Sequence, residues 1–239
     1  LDHVGLLITL ICFLFPATWL GLIARIVLGS SMILVHEGLF LMFMPIIGVD
    51  YLLKATIAGR RHAVLLTCLL FAVTASVTYG IAGSNVAEEN AAAYSQYVKE
   101  RADSFDIRSD AVLVLYGVAD DRFAEMRDVW SEPRRWGVAM LAALFLLPLP
   151  VASIFLGISA IRRSPWSDRV KLPVYAAIAA SPFSALTINL FGWDIWRFFA
   201  ITQIGGLLVF VMCWKQSRAA LFPASWGSLP YYALAIIAV

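Results

Sequence analysis

Of the 239 residues in this chain, 61% are hydrophobic and only 14% charged, with a mean hydropathy of +0.82. So few polar side chains cannot coat a soluble globule of this size, so we expect a polytopic membrane protein whose main partner is the lipid bilayer. The net charge of +2 is too small and too dispersed for a nucleic-acid surface.

Apolar runs near the roughly 20 residues needed to cross a bilayer occur at about 4–24, 26–49, 63–82, 136–161, 172–191 and 195–214, and a seventh starts near Leu229. Lipid leaves no backbone hydrogen bond unpaired, and the runs are too uniformly apolar for barrel strands. The expected fold is therefore all-α, a transmembrane bundle of about seven spans. It divides into spans 1–3 (1–82), a helical cap (83–135) and spans 4–7 (136–239), the last truncated. The chain opens Leu-Asp-His without an initiating Met and ends in an apolar run, which reads as a fragment of a longer protein.

Basic residues set the orientation. Lys54, Arg60 and Arg61 follow the second run, Arg162, Arg163, Arg169 and Lys171 the fourth, and Lys215 and Arg218 the sixth. Positive charge favours the cytoplasm, which puts Arg25, the 83–135 segment and the 192–194 turn on the other side. That segment carries eleven acidic and seven basic residues and two helix-compatible stretches, as an extracytoplasmic cap would. Pro16, Pro45, Pro148, Pro150, Pro173 and Pro182 lie in or beside runs, where a missing donor breaks or kinks a helix. Cys12, Cys68 and Cys213 sit in apolar runs and read as small hydrophobes. Gly205-Gly206 reads as a close-packing site.

Two constellations carry chemistry. His36 and Glu37 are adjacent inside the run 26–49, and ionisable residues at that depth are costly and mark functional sites. Counting from Arg25, Glu37 lies about 18 Å along a helix, near the midplane. Either residue suits general acid–base work; holding helices together is the competing role. A zinc-protease helix would need a second His where Phe40 stands, so no metal is expected. The second constellation is Gly192-Trp193-Asp194-Ile195-Trp196-Arg197-Phe198. Here Asp194 and Arg197 are one helical turn apart, and Trp193 and Trp196 fit an interfacial belt. A guanidinium at that boundary grips an anionic head group or a diphosphate; a capped, anchored helix entrance is the alternative. Arg25, Asp194 and Arg197 together are expected to rim a pocket above His36-Glu37, with Arg134 and Arg135 adding charge.

Val35-His36-Glu37-Gly38 followed by an apolar run to Pro45, with Gly192-Trp193-Asp194-Ile195-Trp196-Arg197-Phe198 opening a later span, resembles bacterial multi-spanning surface-polysaccharide polymerases of the O-antigen or EpsG-like type. The resemblance implies a glycosyltransferase of polysaccharide biosynthesis in the bacterial inner membrane, taking a polyprenyl-diphosphate-linked glycan from the extracytoplasmic leaflet without a cofactor. It implies that Glu37 or His36 deprotonates the acceptor, that Arg25 and Arg197 bind diphosphate, and that Asp194 orients Arg197. Two other classes stay open: a non-catalytic subunit of a larger membrane complex with protein partners, and a proton-coupled transporter.

Overall fold

The computed structural model describes residues 2–36, 38–82, 130–190 and 195–217, and every element among them is helical. Chain order gives α1 (Asp2–Cys12), α2 (Trp19–Val35), α3 (Leu39–Ile57), α4 (Ala63–Ala82), α5 (Pro133–Leu146), α6 (Pro148–Arg162), α7 (Asp168–Ala180), a 3-10 helix (Ser181–Leu190) and α8 (Ile195–Ser217). Most of the expected cap and the run after Leu229 lie outside the described residues.

Four helical stretches are long and apolar enough to cross a membrane: α3, α4, α7 with its 3-10 continuation, and α8. The pair α5–α6, bent by 44°, makes a fifth if counted as one span. This is a multi-pass membrane protein. Four or five spans are found among the described residues rather than the expected seven: the seventh run lies outside them, and the runs 4–24 and 26–49 fold as three helices, of which α1 and α2 are shorter than a full span. Pro16 has no N–H to donate and holds Phe15 away from helical geometry, which ends α1. Thr18 then caps α2, its hydroxyl accepting from the Gly21 N–H at 3.1 Å. The next break is at His36, an extended residue whose Nδ1 accepts from the Gly38 N–H at 3.0 Å before α3 begins. Arg25 therefore sits inside α2 and not at a junction between spans, and His36 sits in a turn and not at mid-span.

Pro148 opens α6 at the α5–α6 bend, and Pro182 sits where α7 tightens into the 3-10 helix. Pro45, in contrast, lies within α3, which continues through it.

The hub is α3, which packs against α1, α2, α4, α7, the 3-10 helix and α8. In its most apolar stretch 67% of residues are buried, against 22% for α4, so α3 is lined by protein and α4 leaves most of its surface for lipid. Helix α8 meets its neighbours through Gly205 and Gly206. A methyl at Gly206 would lie 2.7 Å from Pro150 Cα, so the expected close packing is borne out. Cys12 and Cys213 are buried free thiols and Cys68 is an exposed one.

The bundle has two chemically different ends. Asp2, at the start of α1, pairs with Arg197 at the start of α8. Gly38, at the start of α3, faces Ile188, and Ile195 shares a small core with Ala142 of α5. At the opposite end the α3–α4 turn and the α6–α7 connection line one cleft, which gathers Arg60, Arg61 and Arg169.

Candidate functional site

Three groups of charged side chains are candidates, and two involve residues singled out from the sequence. The deepest is built on α2 and α3. Arg25 is 0% exposed and its Nη2 donates to Asp50 Oδ2 at 2.6 Å, with Asp50 3% exposed. Lys54, one turn along α3, holds the other carboxylate oxygen, Nζ to Asp50 Oδ1 being 2.9 Å. One carboxylate and two cations leave an excess positive charge in an apolar interior, which must be compensated locally.

The compensation comes from the break after α1. Three carbonyls near Pro16 have no helical donor, and the cations supply one. Arg25 Nη2 donates to Phe15 O at 2.8 Å, and Nη1 donates to Pro16 O at 3.2 Å and Gly21 O at 3.1 Å. Lys54 Nζ donates to Phe13 O, and to Phe15 O at 3.3 Å. The Arg25 guanidinium also lies 5.4 Å from the Tyr51 ring centroid. Within this network the buried Arg25 Nε is left without a hydrogen-bond partner. The network staples the α1–α2 break to α3, each half satisfying what the other leaves open. It does not open outward, and Arg25 does not join His36 and Arg197 in one pocket.

At the Asp2–Arg197 end, the guanidinium donates through Nε and Nη2 to the two oxygens of Asp2, a fork with both partners partly exposed. That bond holds the Asp2 carboxyl below the usual carboxylate range. Trp196, beside Arg197, is exposed. Arg135 is nearly buried, its guanidinium 4.8 Å from the Trp130 ring centroid, and Trp130 lies 4.8 Å from Trp136. His36 is half-buried at this end. With Nδ1 accepting from the Gly38 N–H, a neutral His36 carries its ring proton on the other nitrogen. Glu37, Trp193 and Asp194 lie outside the described residues. Among the described residues, no group of His, Cys, Asp and Glu is arranged to hold a metal ion.

Asp2 and Asp50 were not legible as partners by local spacing, since Asp2 lies 195 residues from Arg197 and Asp50 lies 25 from Arg25. One signal was present for the second pair. If the run folds as a helical hairpin about His36-Glu37-Gly38, Arg25 is eleven residues before His36 and Asp50 twelve after Gly38, which sets the opposite charges level across the two arms. Compared with family models, curated proteins and solved structures, the chain matches none.

Proposed function

We propose that this protein is an integral membrane glycan polymerase or related transferase, working on polyprenyl-diphosphate-linked sugars at the Asp2–Arg197 end. On this reading that end and residues 83–135 are extracytoplasmic in a bacterial inner membrane and the arginine-rich end is in the cytoplasm, the side that basic loops favour. The observation that carries the reading is the Arg197 fork. It already holds a carboxylate in the two-point geometry that phosphate oxygens take, at a partly exposed position beside an exposed tryptophan.

On this reading the diphosphate displaces Asp2 from Arg197. Glu37 takes the proton from the acceptor hydroxyl, whose oxygen attacks the anomeric carbon as the bond to the diphosphate breaks. Arg197 then stabilises the departing charge. His36 shapes the turn that carries Glu37 and donates a hydrogen bond. Arg25 leaves the diphosphate role and becomes structural.

A second reading, a non-catalytic subunit of a larger membrane complex, draws on the same contacts, since His36 and Arg197 both make bonds that hold the fold. The proton-coupled transporter gains nothing from the buried network, where both oxygens of Asp50 are held by cations.

The deciding experiment compares the length profile of host surface glycans in wild type, deletion and Glu37→Gln, with membrane levels matched. The transferase loses long chains in both mutants. A subunit keeps them in Glu37→Gln or loses the protein itself.

A further inference from the structure

At the arginine-rich end, α3 closes in a Schellman turn. Gly59 adopts φ +66°, its N–H bonds to Thr56 O at 3.0 Å, and the Arg60 N–H bonds to Ala55 O at 3.0 Å. This turn sends Arg60 and Arg61 sideways, toward the loop that brings Trp166 and the start of α7. Between them lies a cleft of about 350 Å³ lined by Arg60, Arg61, Arg169 and Trp166 above an apolar floor that includes Leu52 and Val64. The volume falls within the range of small-molecule sites, about 300–1,000 Å³.

Among the described residues, three arginines line this cleft and no carboxylate does. Arg60 is half-buried, and its buried Nε has no hydrogen-bond partner. Ser167 precedes α7 without a side-chain capping bond; its carbonyl accepts from the Val170 and Lys171 N–H groups at 3.0 Å, and the Asp168 and Arg169 N–H groups open the 13-residue helix ahead of them, with the Asp168 side chain in the same turn. Three arginines on one cleft beside a helix N-terminus ask for one kind of ligand, an anion with several acceptor oxygens. The floor is supplied by membrane helices, so an apolar tail attached to that anion stays against α3 and α4.

We infer that this cleft binds a phosphate group, carried by the head group of an anionic phospholipid. It lies at the opposite end of the bundle from the Arg197 fork, and the inference is independent of the glycan-transfer reading. Arg60 and Arg169 chelate the phosphate, Arg61 adds charge, and Trp166 packs against the glycerol backbone. Basic pockets between membrane helices are suited to such head groups.

The test uses the full chain purified in detergent, with retained lipid counted by native mass spectrometry after exposure to equal phosphatidylglycerol and phosphatidylcholine. A parallel arm measures the melting temperature with inorganic phosphate alone. Arg60→Gln and Arg169→Gln are each expected to lower the preference for phosphatidylglycerol about fivefold, and Arg162→Gln, outside the lining, to leave it unchanged. A rise in melting with inorganic phosphate, absent in the double variant and without any lipid preference, keeps the phosphate site but makes a soluble phosphate its ligand. Preference retained in the double Gln variant, or lost equally in Arg162→Gln, overturns the site, as does a wild type with neither response. If the double Gln variant does not fold, the double Lys variant decides. A weakened preference supports fork recognition of phosphate, and an unchanged one refutes it.

Discussion

Arg25–Asp50 and Arg197–Asp2 are the same chemical pair in opposite settings. The first is sealed, its side chains 0% and 3% exposed, and the second is open at 40% and 26%. The sealed pair exists only because Lys54 and the carbonyls around Pro16 complete it, so its geometry is fixed by the fold and fixes the fold in return. The open pair has water as an alternative partner for both groups, so it adds little to stability, and the proposed function has it exchange its carboxylate for a diphosphate. Burial, and not residue type, separates a structural arginine from one able to meet a ligand.

The sharpest way to break this contrast is Asp50→Asn, which leaves two cations facing each other in an apolar interior. It is expected to cost about 3–5 kcal/mol, read as a fall in unfolding midpoint and in membrane abundance. Replacing both partners, Arg25→Met with Asp50→Leu, should cost less than Asp50→Asn alone, because one cation, Lys54, and not two is left without the carboxylate. A cost equal to or above that of the single change would remove the pairing from the account. Gly21→Ala comes next. The new methyl would lie 2.0 Å from Pro16 O, an acceptor of Arg25, and pushing that carbonyl away is expected to cost about 1–3 kcal/mol in the same unfolding assay.

The smallest effect belongs to the open pair. Asp2→Asn is expected to cost about 0.2–1 kcal/mol and, on the proposed reading in which a diphosphate displaces Asp2 from the fork, to leave glycan chain length intact. Its pH dependence has a definite sign. The folded carboxyl titrates below its unfolded value of about 3.9, so the contribution is complete above that value and is lost as the pH falls through the folded one. Melting curves of wild type and Asp2→Asn should therefore differ by a constant amount from pH 5 to 8 and converge in stronger acid.

Hydropathy located α4 at its observed bounds, Ala63–Ala82, and α8 nearly so, because each is one uninterrupted apolar helix between polar turns. The prolines at 16, 148 and 182 marked breaks or changes of helix type, whereas Pro45 and Pro173 lie inside continuous helices. Hydropathy alone failed where a turn is itself half-buried. The run 26–49 stays apolar across His36-Glu37-Gly38, so a hairpin of two helices reads as one span, and Asp50, just past its end, reads as a boundary residue when it is a core one. Burial of Arg25 was illegible for the same reason, since its partners include backbone carbonyls of Phe15 and Pro16, which carry no side-chain signal. The Arg197 fork was legible as an arginine at a helix entrance but not in its partner, which comes from the far end of the chain.

The most direct test of a structural inner network and a working outer end is glycan polymer made per folded protein molecule, measured side by side for Asp50→Asn and Glu37→Gln. The account predicts that Asp50→Asn lowers the amount of folded protein while the surviving molecules polymerise normally, and that Glu37→Gln leaves the amount unchanged while chain extension stops. Normal extension by Glu37→Gln, or lost extension at full abundance in Asp50→Asn, would contradict it.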